Sequence, residues 1–416
     1  MDLSEARIRG FLKLGYFLDA TASHYPIDFS RIDRERYADV PEEELVRIGR
    51  KALRDSVSAG FTCQKTHVLP LSGGYDSRLI LAELLEHTPA RNIETYTYGV
   101  PHSYDYDIGA HIAKVAGTRH VPLPLGSFTY QFDDLLDFAA RTRCQGAFLH
   151  CPPFWILDRL YAGATVWSGY VGDAVVGSHF HDPPSPTVAQ AKCRYLANRA
   201  IVRSVNLHGC SDQEFLPYVS SGDINPDLLT WDEQVLFSEG VRKFTEPLVL
   251  VPGFDYRTPL INSPWMDLML SVPNTLRLGQ RLMLQMARAW FPRLFSLPSK
   301  ATFGLPPSTP AARLRLRRHT DRLRKLLHRI QPKVSYPFLI ANDFDEAFRS
   351  SPDWIEIARL SLSRLKERGI VYWLDLDYLW ASHQRRSRNL GDALMVLVCL
   401  EANLTSAAGT NVHSSP

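Results

Sequence analysis

The sequence predicts an α/β protein: a parallel, doubly wound sheet followed by a largely helical C-terminal half. Three observations carry this. Short apolar runs alternate with helical patterns between His67 and Leu123, the first run enters a glycine-rich turn, and beyond Pro183 strand patterns give way to helices. In order, Glu42 to Val57 predicts a helix because Leu45, Ile48 and Leu53 recur at helical spacing with Glu and Arg between them. His67 to Leu71 predicts a buried strand, Ser72 to Ser77 a turn, and Leu79 to Leu85 the body of a helix. Ile93 to Tyr98 predicts a second strand, Asp107 to Ala116 a second helix, and Val121 to Leu123 a further extended segment. Val166-Trp167, entering Ser168-Gly169, predicts another strand of the same sheet, joined by right-handed crossovers. Later helices are expected at Val188 to Val205, Leu228 to Phe244, Trp265 to Val272 and Gln280 to Phe291. A Pro-rich bend, Leu297 to Pro310, then precedes a basic helix from Ala311 to Ile330 and a last apolar helix from Leu390 to Leu404. The domain reading is a lead-in over residues 1–60 packed on the core, one domain over 61–405 with 311–405 its helical part, and a disordered tail over 406–416.

Composition narrows the class. The chain has 416 residues, 45% hydrophobic and 22% charged, which suits one large core and excludes wholesale disorder. Lys+Arg 47 against Asp+Glu 44 leaves a net charge of +3, so nucleic acid is not an expected partner. Apolar stretches such as Ala393 to Leu400 fall short of the roughly 18 residues of a membrane span. The start, MDLSEARIRG, carries acids and no apolar h-region. None of the 6 cysteines forms a CxxC pair or sits at zinc-finger spacing, so they read as thiols of a reducing compartment. The expectation is a cytoplasmic globular protein with no membrane span.

The most informative residues are Leu71-Ser72-Gly73-Gly74-Tyr75-Asp76-Ser77. A buried strand runs into Ser-Gly-Gly and a helix starts at once. Paired glycines let backbone N–H groups approach an anion, and the helix start adds unpaired donors and a positive dipole end. The Ser72 and Ser77 hydroxyls can donate further bonds, and Asp76 can hold a magnesium ion against phosphate oxygens. The alternative is an ordinary strand–turn–helix with Ser or Asp as its cap. The lysine of a Walker A loop is absent.

These residues resemble the pyrophosphate loop of the N-type ATP pyrophosphatases, of the adenine nucleotide α-hydrolase-like type. Residues beyond the loop narrow the resemblance to the synthetase domain of the asparagine synthetase family, from roughly Gly15 to Leu404. Gly99 to Asp105, with Ala113, Gly117-Thr118 and His120, is similar to the family's second strand and helix. Ser168-Gly169-Tyr170-Val171-Gly172-Asp173, then Gly177, is similar to its SGxGxDE…GG segment. Pro259 to Pro273 with Arg277 to Gln280, then Leu297 to Gly304, resemble the approach to its catalytic lysine and the lysine segment itself.

The resemblance implies ATP-dependent activation of a carboxylate as an acyl-adenylate, release of pyrophosphate, and attack by ammonia or an amine to give an amide. It implies ATP and Mg²⁺ as cofactors, with Asp76 and Asp173 as metal carboxylates and Ser72, Gly73, Gly74 and Ser77 around the pyrophosphate. Lys300 is the implied catalytic lysine, and Arg78 is a second candidate for a phosphate-facing cation. Leu71, Tyr98, Gly99, Val100 and Gly169 are implied at the adenine end. Ser103 and Asp105 align with a family Ser-x-Asp, although Asp105 equally suits an N-cap. Tyr170 stands where asparagine synthetases carry Glu and β-lactam synthetases carry Tyr. With a carboxylate from Glu214, Glu233 or Glu239 it could act as a base toward an amine. Its alternative is a tyrosine packed at a strand end.

The pattern also breaks. Residue 2 is Asp2 and little chain precedes Ser72, so no glutaminase domain is expected here. Nitrogen would come from ammonia, a separate glutaminase partner, or an amine. Ala174 replaces the Glu after the metal aspartate, Ser178 and His179 replace Gly-Tyr, and Arg78 stands where Ser or Thr is usual. Cys144-Gln145-Gly146 and His150-Cys151-Pro152-Pro153 replace an acidic acceptor segment, which puts aspartate in doubt as the small-molecule or carrier-borne carboxylate substrate. In the basic helix, Leu316, Leu323, Leu327 and Ile330 form a stripe expected to pack, with Arg313, Arg317, Arg318, Arg322, Lys325 and Arg329 solvated. The other reading of that helix is a site for a membrane surface, polyanion or carrier protein. Rival functions are nucleobase amidation, tRNA thiolation through Cys144 and Cys151, and a degenerate ATP-binding scaffold.

Overall fold

The computed structural model describes residues 3–20, 27–63, 66–222, 227–330, 336–338 and 341–413. Its centre is a five-stranded parallel sheet in the order β3-β2-β1-β4-β5. The strands are β1 (His67–Pro70), β2 (Ile93–Gly99), β3 (Arg119–Pro124), β4 (Thr165–Trp167) and β5 (Asp255–Arg257). The expected α/β doubly wound sheet is thus present, with a helical C-terminal half. β5, only three residues long, is an addition; its polar Asp-Tyr-Arg carries no strand signal.

Both faces of the sheet are covered, and β1 shows why its residues are apolar throughout. Val68 and Leu69 are both fully buried, yet they belong to different cores on opposite faces. On the Leu69 face pack α2 (Glu42–Ser58), α3 (Asp76–His87) and α4 (Tyr104–Ala116), together with the Trp265–Ser271 and Arg281–Trp290 helices. On the Val68 face pack α1 (Leu3–Leu14), which gives Phe11 and Leu12, and the helices Phe132–Arg141, Phe154–Tyr161, Pro352–Arg368 and Gly391–His413.

The order reverses between β1 and β4. Chain leaving β1 turns to one side and chain leaving β4 to the other, so their C-terminal ends border an open crevice. β1 delivers Ser72 to Asp76 there, and β4 delivers Ser168 to Asp173.

Several expectations shift. The Val188 helix ends at Asn198, not Val205, and the Leu228–Phe244 candidate becomes Trp231–Val235 followed by a π-helical stretch, Leu236–Thr245. The last helix continues to His413, through most of the expected disordered tail; residues 414–416 lie outside the described ones. Gly391–Gly409 is long and apolar enough to cross a membrane by length and composition, but 67% of that window is buried inside the fold. Val396 to Leu400 are fully buried, which accounts for the apolar composition as core packing. The basic helix spans Ala311–Ile330 as expected, but its stripe does not pack: Leu316, Leu323 and Leu327 are exposed, and the side chain of Ile330 lies outside the described ones.

Candidate functional site

The loop after β1 is organised by its own side chains. The Ser72 N–H donates to Ser77 Oγ at 3.3 Å, and the Gly74 N–H donates to Ser72 Oγ at 3.2 Å. Leu71 spends its backbone within the sheet, its N–H on Tyr96 O and its carbonyl on the Thr97 hydroxyl. α3 begins at Asp76, so the loop closes on a helix N-terminus whose first N–H groups have no intrahelical acceptor.

Lys300 approaches the loop from the far side of the chain. Its backbone N–H donates to Gly73 O at 3.0 Å, as does the Ser299 hydroxyl at 3.2 Å. Its ammonium donates to Asp105 Oδ2 at 2.6 Å, while the Gly73 N–H donates to Asp105 Oδ1 at 3.2 Å. One carboxylate therefore occupies the point where the loop and the lysine converge, and any anion engaging both must compete with it. Ser103, not Asp105, caps α4, accepting from the Tyr106 N–H. Tyr98 stands on the same wall; burial, then Cys151 and Asp105, raise its pKa. Gly99 ends β2 and Val100 follows it, half-buried. His150 completes the wall, its pKa lowered by desolvation and then by the Lys300 charge.

Asp76 lies against the Gly172–Asp173 segment at the crevice, near enough to feel the Asp173 charge. Burial and then the Asp173 charge push the Asp76 pKa well above the carboxylate range. For Asp173, burial opposes ionisation, but the His179 ring at 2.8 Å and the Ala174 N–H bring its pKa below the ordinary value. Asp173 is held from behind by Ser178, whose N–H and hydroxyl both donate to the Asp173 carbonyl, at 2.9 and 2.8 Å. Two glycines make the approach possible. A Cβ on Gly169 would stand 3.0 Å from Asp76 Cβ, and one on Gly172 would stand 3.0 Å from Asp76 Cγ. Between them Val171, where the SGxGxDE pattern has glycine, sits at φ 62, a costly conformation for a β-branched residue.

Two neighbouring carboxylates fit a divalent ion that takes its remaining ligands from phosphate and water, as Mg²⁺ prefers. Among the described residues no group of three or more His, Cys, Asp or Glu is placed to hold a metal. A phosphate-completed site suits this pair better than an all-protein cage.

Tyr170 is buried, and its hydroxyl makes no well-formed hydrogen bond. Burial and then the Glu246 carboxylate raise its pKa far above the ordinary value. The three carboxylates named from the sequence are used elsewhere. Glu214 caps Ser211, Glu233 accepts from Arg277 at 2.6 Å, and Glu239 accepts from Tyr16, Lys243 and the Ser220 N–H. The carboxylate whose charge acts on the Tyr170 hydroxyl is instead Glu246, delivered where the π-helical stretch ends and itself paired with Arg143 at 2.9 Å. Nothing in the local sequence signals this, because Glu246 lies 76 residues from Tyr170 and its placement depends on the π-helical register.

Arg78 does not face the phosphate site. Its side chain is fully buried and donates to the carbonyls of Leu294, Leu297 and Pro298 at 3.3, 3.2 and 2.6 Å. It ties α3 to the segment that carries Lys300. Burial lowers its pKa to about 10.

A parallel sheet with a glycine-rich loop and two neighbouring carboxylates at its switch point defines a nucleotide-handling α/β protein of the ATP-pyrophosphatase type. Residues 49–406 match the family model for asparagine synthase, and the chain belongs to that family, a family of ATP-dependent amide-forming ligases. No curated protein matches the chain significantly.

Proposed function

We propose that this chain is an AMP- and pyrophosphate-forming carbon–nitrogen ligase that adenylates a carboxylate and passes the acyl group to ammonia or an amine. The observation that carries the reading is the convergence of the Ser72–Ser77 loop, the Asp76–Asp173 pair and Lys300 on one crevice. In the first step a substrate carboxylate oxygen bonds the α-phosphorus of ATP and the α–β anhydride bond breaks, releasing pyrophosphate. In the second, the nitrogen bonds the acyl carbon, AMP leaves, and the nitrogen gives up a proton.

The residues divide this work. Ser72, Gly73, Gly74 and Ser77 hold the departing pyrophosphate with hydroxyl and backbone donors fixed before reaction. Lys300, once Asp105 yields, neutralises charge developing on the transferred group. Asp76 and Asp173 would hold Mg²⁺, which when bound would supply charge neutralisation on phosphate oxygens. Tyr98, Gly99 and Val100, with Leu71 and Gly169, line the place for adenine. Tyr170, protonated at neutral pH, orients the nucleophile and relays its proton to Glu246. Sulfur transfer is disfavoured, because burial pushes the Cys151 thiol up to about 12 and raises Cys144 as well, opposing the thiolate it would need.

Substrate-dependent exchange of labelled pyrophosphate into ATP tests the reading across a panel of carboxylates. Exchange should require Mg²⁺ and fall by about 10²–10³-fold in Lys300→Ala, the scale of losing one preorganised charge-stabilising donor. Asp76→Ala should abolish it. Exchange that survives Asp76→Ala, or none with any carboxylate, sinks the proposal.

A further inference from the structure

Nine large hydrophobic side chains among the described residues are exposed, and four of them lie on one helix. Leu316, Leu323, Leu326 and Leu327 of the Ala311–Ile330 helix are 66%, 56%, 54% and 43% exposed. Leu316, Leu323 and Leu327 stand at i, i+7 and i+11, which on a helix is a single line. This is a stripe rather than scatter. The same 20 residues hold eight of the chain's 47 Lys and Arg but one of its 44 Asp and Glu, so without this helix the chain would be net negative.

The single acid, Asp321, is buried on the back of the helix and accepts from the Tyr104 hydroxyl at 2.6 Å. The half-buried Arg317 donates from Nε to Phe303 O on that side. At 100° per residue, Arg313 and Arg324 flank the leucine line on one side and Arg315 and Arg322 on the other, all four exposed. The helix is therefore docked by its back and presents an apolar ridge with a cationic margin on each side. Beside it, between the helix and α4, a cavity of about 570 Å³ is lined by His102, His111, Arg317 and Arg324.

We propose that this helix lies on an anionic membrane surface, its leucine ridge among the acyl chains and its arginine margins on lipid phosphates. Charge complementarity selects this occupant, and shape supports it. A protein partner would need an apolar groove with acidic rims on both sides, whereas a bilayer offers both to any convex ridge. The flanking arginines can run their stems along the apolar layer and keep their charged heads at the phosphates. The surface is coupled to the crevice: Arg317 holds the carbonyl of Phe303, three residues after Lys300, and Asp321 holds Tyr104, next to Asp105. Membrane binding of this kind does not depend on the ligase reading.

Vesicle flotation of the full chain tests it. The protein should float with vesicles of three parts phosphatidylcholine to one part phosphatidylglycerol, remain behind with phosphatidylcholine alone, and dissociate as NaCl rises from about 0.1 to about 0.5 M. Leu316→Glu/Leu323→Glu and Arg313→Gln/Arg315→Gln/Arg322→Gln should each weaken binding at least about tenfold with the circular dichroism spectrum unchanged. These side chains are exposed, so folding should survive; Leu326→Ser/Leu327→Ser is a milder second variant with the same expected direction. Equal binding to both vesicle types, no binding to either, or wild-type binding by the Leu→Glu protein overturns the proposal. So does full release by millimolar glycerol phosphate, which would assign the site to a free phosphate. Binding of soluble polyglutamate that the Leu→Glu changes weaken equally would assign the ridge to an acidic protein.

Discussion

Replacing Arg78 by Met removes three charge-assisted hydrogen bonds to carbonyls while nearly conserving volume. Each buried acceptor left without a donor costs about 1–3 kcal/mol, or about 3–6 kcal/mol together after partial relaxation. Against this stands relief of a buried charge. Holding the guanidinium at about 10 instead of 12.5 is worth about 3 kcal/mol of unfavourable burial, which an apolar side chain recovers. The net loss is about 0–3 kcal/mol. With an unfolding entropy of about 2.1 cal/mol/K per residue, a chain of this length should lose at most about 3 °C in Tm. The local effect should be larger, because the lost bonds all hold the segment Leu294 to Pro298 that aims Lys300. Arg78→Met is therefore expected to expose the Leu297–Pro310 region to limited proteolysis and to weaken Mg-ATP binding about tenfold or more, while Tm barely moves. Arg78→Lys keeps the charge but cannot span three carbonyls, so it should resemble Met. A wild-type proteolytic pattern together with wild-type nucleotide affinity in Arg78→Met refutes the reasoning, and a Tm loss above about 10 °C would show a global role instead.

Two further outcomes are expected. His383 is fully buried and its pKa is lowered to about 4 by desolvation and then by Arg349. Stability from this neutral ring is complete above the unfolded value of about 6.5 and is lost as pH falls toward 4, by about 3 kcal/mol. Asp345, whose pKa burial raises, works in the opposite sense and trims that loss. Urea midpoints of His383→Gln, which keeps an acceptor for the Leu390 N–H, should therefore change less over this range than those of the wild type. Equal slopes would exclude the ring as the acid-sensitive group. For Tyr170→Phe and Glu246→Gln, pyrophosphate exchange should persist while amide formation with an amine falls about 10²-fold, the scale of one general base. Loss of both half-reactions together would place the pair in adenylation or in folding.

The parts of this molecule legible in sequence are those whose signal is local. The Ser72–Ser77 loop can be read because a buried strand, paired glycines and a helix start lie close together along the chain. β4 can be read because Val166-Trp167 enters a glycine turn. β5 cannot: three polar residues become a strand only because β4 offers an unpaired edge. The Tyr170 partner is illegible for a related reason, since Glu246 is brought in by a π-helical register and an Arg143 pair that no short window contains. The basic helix is placed correctly by sequence and turned wrongly. Its leucine line gives the stronger apolar signal, but the buried face is set by Asp321 and Arg317, polar residues satisfied only through Tyr104 and Phe303. Periodicity reports which residues share a face, and tertiary partners decide which face is covered.

The departures that suggest a degenerate scaffold argue the other way once their surroundings are known. Ser178 and His179, in place of Gly-Tyr, are the residues that fix Asp173: one holds its carbonyl with two bonds, the other its carboxylate. Ala174, in place of Glu, is buried in the core, where an acid would face the cost of desolvation. Arg78, in place of Ser or Thr, pins the segment that presents Lys300. Val171 keeps a left-handed turn at a conformational cost of about 1–2 kcal/mol, and that turn sets Gly172 against Asp76. Strain at Val171 and hydrogen bonds converging on Asp173 and on the Lys300 segment are features that the proposed ligase chemistry uses and an inert scaffold does not need. The altered residues lie behind Asp173 and behind the segment that carries Lys300, while the loop and both aspartates stay in place. That distribution supports the proposed ATP chemistry with an altered acceptor, because every change falls outside the groups proposed to meet the phosphates.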